Sequence, residues 1–249
     1  MENLLDGWGI TLATFSPLAG VAVMMLIPRE REDRHRLIAL VTSLWVAFVG
    51  VLLLIWFDLG HTGQLQFVVD KPWIDVISSR YLVGLDGMSL PLILLTMLIV
   101  PMCIIYSWNH FPDPVNPKAF LILILILETG MIGTFVAQDL VLFFVFFEVV
   151  LLPMFFMIAV WGGENRRYAS LKFFLYTLFG SALMLVSFLA LFFLTGADTF
   201  SFTGLADAVA AGGVSGTAQL WIFGGMFLGF AIKVPMFPFH TWLPDAHTE

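Results

Sequence analysis

Charge is scarce in this chain: Asp, Glu, Lys and Arg make up 12% of its 249 residues, about half the proportion of an ordinary soluble domain. Cysteine is almost missing. Cys103 stands alone inside an apolar run, which excludes an internal disulfide framework and a cysteine-based metal site. Basic clusters are lacking too. The nearest approach, residues 29–36, is interrupted by Glu30, Glu32 and Asp33, and nucleic-acid binding needs a more continuous basic surface. No basic segment precedes the first apolar run, so that run reads as a retained span and not as a cleaved signal. There is no Gly-x-x-x-x-Gly-Lys-Ser/Thr loop, no Gly-x-Gly-x-x-Gly after a strand, no cysteine cluster for iron–sulfur and no histidine pair suited to haem. The chain itself is therefore read as holding no cofactor, no metal and no nucleic acid.

What is abundant is apolar surface. The AVILMFWYC residues account for 60% of the chain, with 26 Phe and 8 Trp, against roughly 45–50% apolar in soluble domains. A water-soluble globular enzyme of this size could not bury so much. Intrinsic disorder is excluded as well, because it needs low hydrophobicity and high charge. A bilayer core about 30 Å thick is crossed by about 20 apolar helical residues. Apolar runs near 4–27, 37–57, 86–108, 118–137, 140–161, 168–195 and 218–239 predict seven such spans. The runs at 121–127 and 140–147 are apolar on every face, which predicts helices and not the alternating strands of a membrane barrel. The breaks carry turn chemistry: Pro28, then Pro112, Pro114 and Pro117, then Gly162 and Gly163, then a Gly/Ala/Ser/Thr-rich stretch over 195–217. The expectation is an all-α, polytopic membrane bundle forming a single membrane domain over 1–249.

Lys and Arg set the predicted orientation. With the N-terminus outside, the inner loops and helix ends hold Arg29, Arg31, Arg34, Arg36, Lys118, Arg166, Arg167 and Lys172, eight in all, against Lys71 and Arg80 outside. Cationic loops stay on the cytoplasmic side, so an outside N-terminus is expected.

Three charges sit where charge is costly. A charged side chain at a helix centre costs about 2.5–3.5 kcal/mol on insertion scales, and Glu128, Glu148 and Lys233 each fall inside an apolar run. At a rise of about 1.5 Å per residue, Glu148 lies roughly 12 Å past residue 140 and Lys233 roughly 22 Å past residue 218. Both then lie within roughly 3–7 Å of the midplane of a core about 30 Å thick. One reading is a structural ion pair locking two helices; the other is an ion or proton path. Structural glue in membranes is more often Ser, Thr or Asn, and intramembrane ionisable groups are functional candidates by default.

The surroundings of Lys233 favour the path. Gly225, Gly229 and Lys233 are spaced by four, so they share a helix face on which another helix can come close. Pro235 and Pro238 follow, and proline removes the hydrogen bonds to the carbonyls of Ala231 and Val234. Broken helices at mid-membrane are features of transporter ion sites; a plain proline kink is the alternative. Pro153 frees the carbonyl of Val149 in the same way, and a bend there would admit water to Glu148. Glu128, beside Thr129 and Gly130, fits a hydrogen-bonded or protonated structural carboxyl as well as a functional one. Lys172 opens a stripe with Tyr168, Tyr176 and Gly180; it either snorkels to the inner interface or relays protons at the inner mouth. His240 and His247 follow the break and titrate near neutral pH. Their spacing does not suit a metal pair, and His240 is the stronger relay candidate. Asp86 and Asp139 stand at span starts, where N-capping is their expected job.

These motifs resemble a known family. Residues 140–156, Leu-Val-Leu-Phe-Phe-Val-Phe-Phe-Glu-Val-Val-Leu-Leu-Pro-Met-Phe-Phe, are similar to the Glu-bearing fifth helix of the antiporter-like subunits of respiratory complex I. Residues 230–247, Phe-Ala-Ile-Lys-Val-Pro-Met-Phe-Pro-Phe-His-Thr-Trp-Leu-Pro-Asp-Ala-His, resemble that family's discontinuous seventh helix. Residues 85–95 with Ser107 and Trp108 point to its subunit M branch, the bacterial counterpart of mitochondrial subunit 4. The resemblance implies a multi-pass subunit of the bacterial inner (plasma) membrane that moves protons. Its partners would be the other membrane and peripheral subunits of complex I, which hold FMN, iron–sulfur clusters and quinone. It further implies that Glu148, Lys233, His240 and Lys172 are the family's helix-five glutamate, helix-seven lysine, post-break histidine and helix-six lysine. Family members continue for about as many residues again, so the chain is expected to be the N-terminal part of a longer one. In this reading Glu148 and Lys233 form a switchable pair: separation pushes the Lys233 proton onward toward His240, and re-pairing reloads it. Rivals are a subunit of a multi-subunit Na⁺/H⁺ antiporter or membrane-bound hydrogenase, which share the helix-seven motif; a seven-helix retinal photoreceptor, which the proline-rich break opposes; and a scaffold, in which both charges would tolerate Leu.

Overall fold

A computed structural model describes residues 5–111 and 114–249, the side chains of Leu5 and Asp6 excepted. Residue 4 of the first predicted span and Pro112 of the proline-rich break lie outside the described residues. The described part is dominated by helices: α1 (Ile10–Met25), entered through a wide turn at Leu5–Gly9, α2 (Glu32–Trp56), α3 (Ser89–Ser107), α4 (Pro117–Val136), α5 (Leu140–Val149), α6 (Leu151–Trp161), α7 (Arg166–Thr195), α8 (Phe202–Ala210), α9 (Gly216–Lys233) and α10 (Trp242–Thr248). Two strands, β1 (Gln66–Ile74) and β2 (Ser79–Leu85), pair with each other. The protein is thus an all-α membrane fold with one added hairpin. The segment between the second and third predicted spans reads as a plain loop, but it folds as this hairpin, in which Phe67, Val69, Val83 and Leu85 are buried.

Six helical stretches among the described residues are long and apolar enough to cross a membrane: Gly7–Met25, Glu32–Trp56, Ser89–Ser107, Pro117–Val136, Leu140–Trp161 and Arg166–Thr195. The count of seven is not reached. The last predicted span, 218–239, is helical only to Lys233. Gln219, four glycines (Gly216, Gly224, Gly225, Gly229) and the terminal lysine keep α9 from joining these six. The third span begins at Ser89, and not at 86, because Asp86 forms the turn that starts it: its Oδ1 accepts from the N–H groups of Met88 and Ser89. The fifth is interrupted at Val150, between α5 and α6.

The described residues up to Lys71, with Leu82–Ala137, form one compact unit; Pro72–Tyr81 with Gln138–Glu249 form the other. In the first unit α1 packs on α2 and α4, and α3 packs on α2 and α4. Its interior is apolar, with Ile10, Met24, Val46, Leu53, Ile93, Met97, Leu125 and Ile132 buried. Gly50 is needed there, since a Cβ would run into the Met97 sulfur. Asn116 and Pro117 start α4 by cap and by fixed φ, and Lys118 donates to the carbonyls of Met25 and Ile27 at the end of α1.

In the second unit α7 is the central helix, against which α6, α9 and α10 pack. Leu140, Phe147, Met184, Phe188, Phe200 and Leu205 form one apolar cluster. Leu151, Ile158, Ala169, Phe173, Trp242 and Ala246 form a second. The short helix α8, capped by Ser201, lies in the Gly/Ala/Ser/Thr-rich stretch read as a mere separator. The peptide pairs Leu140–Phe200 and Phe202–Gln138 tie its entry to the start of α5.

Candidate functional site

Glu148 is placed by the helix that carries it. Asp139, fully buried, starts α5: its Oδ1 accepts from the N–H groups of Val141 and Leu142 and from Ser79 Oγ, and its Oδ2 accepts from the Arg80 N–H, each at 3.0 Å. The capping expected of Asp139 is therefore present, extended by a grip on the hairpin tip within the same unit. Glu148 comes at the end of α5, one residue before the helix ends at Val149 and is interrupted at Val150. Its side chain is half-buried, and Oε1 is buried without a hydrogen-bond partner.

Lys233 is the last residue of α9. The glycine face predicted to accept a close helix does so, and the helix is α7. A Cβ on Gly229 would meet the Gly180 carbonyl oxygen at 2.7 Å and the Met184 Cβ at 2.8 Å, and one on Gly225 would run into Ser187 Oγ. On this close-packed support the Lys233 ammonium is buried, has no hydrogen-bond partner, and stands 4.6 Å from the centroid of the Phe147 ring. Phe143 and Phe230 complete an aromatic group around Phe147, with centroids 5.4–6.2 Å apart. The charge that acts on Lys233 is the Glu148 carboxylate, yet no salt bridge joins the two. The neighbouring Phe147 offers the ammonium its ring face instead, a contact worth about 0.5–2 kcal/mol.

The break itself differs in detail from the proline arithmetic. The Ala231 carbonyl freed by Pro235 accepts from the Met236 N–H at 2.8 Å. The Ile232 carbonyl accepts from the Trp242 indole N–H, also at 2.8 Å. The chain then turns through Phe239–Thr241 into α10. His240 lies in that turn. Its Nδ1 is buried and unpartnered, and its ring is 5.6 Å from that of Phe237.

Lys172, on α7, neither snorkels freely nor lacks a partner. Its Nζ donates to Asp245 Oδ2 on α10 at 2.6 Å and lies 5.5 Å from the Tyr168 ring centroid. Asp245 was not singled out by the sequence reading, although it stands in the Leu-Pro-Asp-Ala-His run. Trp242, which fastens the break, was passed over in the same run. His247, further along α10, is exposed. Glu128 belongs to the first unit. It is fully buried in α4, and neither of its carboxyl oxygens has a hydrogen-bond partner; nor does the hydroxyl of Thr129 beside it. Among the described residues no group of His, Cys, Asp and Glu side chains is arranged to hold a metal ion.

The second unit thus brings together Glu148, Lys233 and the break, and joins Lys172 to the segment beyond it. Such an arrangement can hold, release and pass a proton, because its buried ammonium and carboxylate oxygen are free of fixed partners. A family model described as NADH-ubiquinone oxidoreductase chain 4, amino terminus, matches residues 19–134. One described as NADH:quinone oxidoreductase/Mrp antiporter, TM, matches residues 137–249. The chain is 41% identical over 261 residues to NADH-quinone oxidoreductase subunit M of Rhodobacter capsulatus, with 100% of this chain and 49% of that one covered. It superimposes on a chain of respiratory complex I from Thermus thermophilus with a TM-score of 0.82 and 32% identity, covering 96% of this chain and 47% of the other. A chain of the Mrp complex from Dietzia sp. DQ12-45-1b shares the fold, with a TM-score of 0.80 at 20% identity, covering 96% of this chain and 25% of that one. The chain spans about half the length of the curated relatives it matches. With consecutive family models laid along almost all of it, the chain belongs to the NADH-quinone oxidoreductase subunit M/chain 4 family of antiporter-like membrane subunits.

Proposed function

We propose that this chain is part of a proton-translocating subunit of NADH:quinone oxidoreductase. It acts with other membrane and peripheral subunits, in which FMN, iron–sulfur clusters and quinone carry the electrons. It resides in a bacterial plasma membrane with its N-terminus outside, as the eight-to-two bias of Lys and Arg suggests. The observation that carries the reading is the buried Lys233 ammonium, set over Phe147 at a helix break within the field of Glu148 and without a salt bridge to it. A fixed ion pair would be locked; a separated pair, its ammonium resting on an aromatic ring, has a second position to move to. In that cycle Glu148 approaches Lys233 and stabilises its ammonium. Withdrawal of Glu148 destabilises the charge, and the proton leaves through the break toward His240. Lys172 is the relay at the inner mouth.

Proton pumping by the assembled complex tests this. Lys233→Ala and Glu148→Ala are each expected to lower the protons moved per NADH oxidised at least tenfold, with assembly intact; normal pumping in both variants would overturn the reading. A sodium–proton exchange role has one specific support, the family model over residues 137–249, whose description includes the Mrp antiporter. Co-purifying flavin and iron–sulfur chains favour the first reading, and sodium-dependent exchange without them favours the second.

A further inference from the structure

The seven-residue helix α10 follows a break and is too short to hold itself. Beside the Gly163 and Asn165 N–H groups, which donate to Glu249 at its end, three contacts hold it. The Trp242 indole donates to the Ile232 carbonyl at 2.8 Å, and its ring packs on Phe173 with centroids 5.3 Å apart. Ala246 lies in one buried apolar cluster with Ala169 of α7 and with Leu151 and Ile158 of α6, the helix that continues from Glu148. The third contact is polar: Asp245 Oδ2 to Lys172 Nζ at 2.6 Å, with side chains 21% (Lys172) and 37% (Asp245) exposed. The apolar contacts are indifferent to protons. The ion pair is not, since it exists only while both groups are charged, and it is short enough to be a strong charge-assisted bond. It therefore responds to the presence of a proton at Lys172 and acts on the segment that carries His240.

We propose that Asp245 is a positioning residue: its ion pair with Lys172 is a latch that fastens the segment beyond the break to α7 while Lys172 is charged, and releases it when the pair is lost. The latch rests on the proton-translocating reading above. It assigns Lys172 a partner that decides when it can act, and it makes the placement of His240 depend on the state of Lys172.

The test uses membranes holding the complete, assembled complex, with NADH oxidation and dye-reported proton uptake measured together. Asp245→Asn and Lys172→Met are each expected to lower protons moved per NADH at least threefold. The double variant is expected to be no worse than either single one, because both remove the same interaction. Asp245→Glu and the swap Lys172→Asp with Asp245→Lys are expected to regain most of the loss. An unchanged ratio in Asp245→Asn overturns the latch, as does a double variant whose loss is the product of the single losses. If Asp245→Asn prevents assembly, the swap decides: assembly and pumping support the latch, and failure of the swap overturns it. Lys233→Ala and Glu148→Ala run alongside separate the two proposals. Normal pumping in both Lys233→Ala and Glu148→Ala defeats the function itself, whereas loss there with normal pumping in Asp245→Asn defeats only the latch.

Discussion

Glu128 shows most sharply what a single side chain can do to this protein. It is fully buried, and both of its carboxyl oxygens lack partners. Leaving a buried polar group unsatisfied costs about 1–3 kcal/mol, and in a protein of this size one kcal/mol moves the unfolding midpoint by about 2–4 °C. Glu128→Leu removes that cost at similar volume and is expected to raise the thermal midpoint in detergent by a few degrees. If the carboxyl serves proton movement, the same variant lowers pumping, the usual trade between stability and function at such sites. A lowered midpoint would show that the carboxyl is held by a partner after all. Phe147 makes the matching case in the second unit. Phe147→Leu keeps the apolar volume but takes away the ring face 4.6 Å from the Lys233 ammonium. With that alternative gone, Lys233 is expected to pair with Glu148, and proton transfer is expected to slow several-fold while assembly is retained. Single-turnover proton release measures this, and an unchanged rate would show the ring to be mere packing.

Between elements, the closest approach in the second unit is α7 to α9, and glycine makes it possible. A Cβ on Gly229 would meet the Gly180 carbonyl oxygen at 2.7 Å, whereas one on Gly224 meets nothing within 4 Å. Gly229→Ala is therefore expected to cost about 1–3 kcal/mol through overpacking. Gly224→Ala, five residues away in the same helix, is expected to be neutral or to stabilise by up to about 1 kcal/mol. Comparing the two midpoints checks the helix contact without touching a charge. At the start of α3, partial burial pushes the Asp86 carboxyl up, but hydrogen bonds from Ser89 and the Met88 N–H outweigh it and leave the group below its ordinary value. A depressed folded value means that the cap contributes above the unfolded value of about 3.9 and is lost as pH falls through the folded one. Asp86→Ala is expected to cost about 0.5–2 kcal/mol at neutral pH, and that difference is expected to shrink toward zero as pH falls through the depressed folded value. Helices, caps and the broken end of α9 were legible in the sequence because apolar length, Asp and Pro act locally. The hairpin was not, since its short apolar stretches look like loop beside runs of 20 residues or more. Nor was the Lys172–Asp245 pair, because no local pattern says which of several carboxylates a lysine meets when the chain returns. The Phe147 ring under the Lys233 ammonium escaped for the same reason: depth along two helices says that two charges share a level, but not which side chain either one meets.

At the scale of the whole molecule, large apolar side chains are exposed along many of the helices. Leu26, Val41, Phe48, Leu98, Phe193, Trp221 and Phe237 all lie exposed, which a soluble monomer does not tolerate and which a bilayer requires. Counted along the predicted alternation of spans, Lys and Arg favour one side: four at 29–36, then Lys118, Arg166, Arg167 and Lys172, against Lys71 and Arg80. That asymmetry makes the orientation testable at two sites. Val76, at the hairpin tip, is 96% exposed, and Glu164 stands in the turn between α6 and α7 beside the basic pair Arg166 and Arg167. Cys103 is the sole cysteine, so Cys103→Ser gives a background without competing thiols. In that background Val76→Cys is expected to react with a membrane-impermeant maleimide in whole cells, and Glu164→Cys only in inverted vesicles. The reverse pattern would turn the chain over, because retention of cationic loops inside acts on every span at once. It would place Lys172 and Asp245 at the outer mouth, and the proposed proton path would have to be reversed with them.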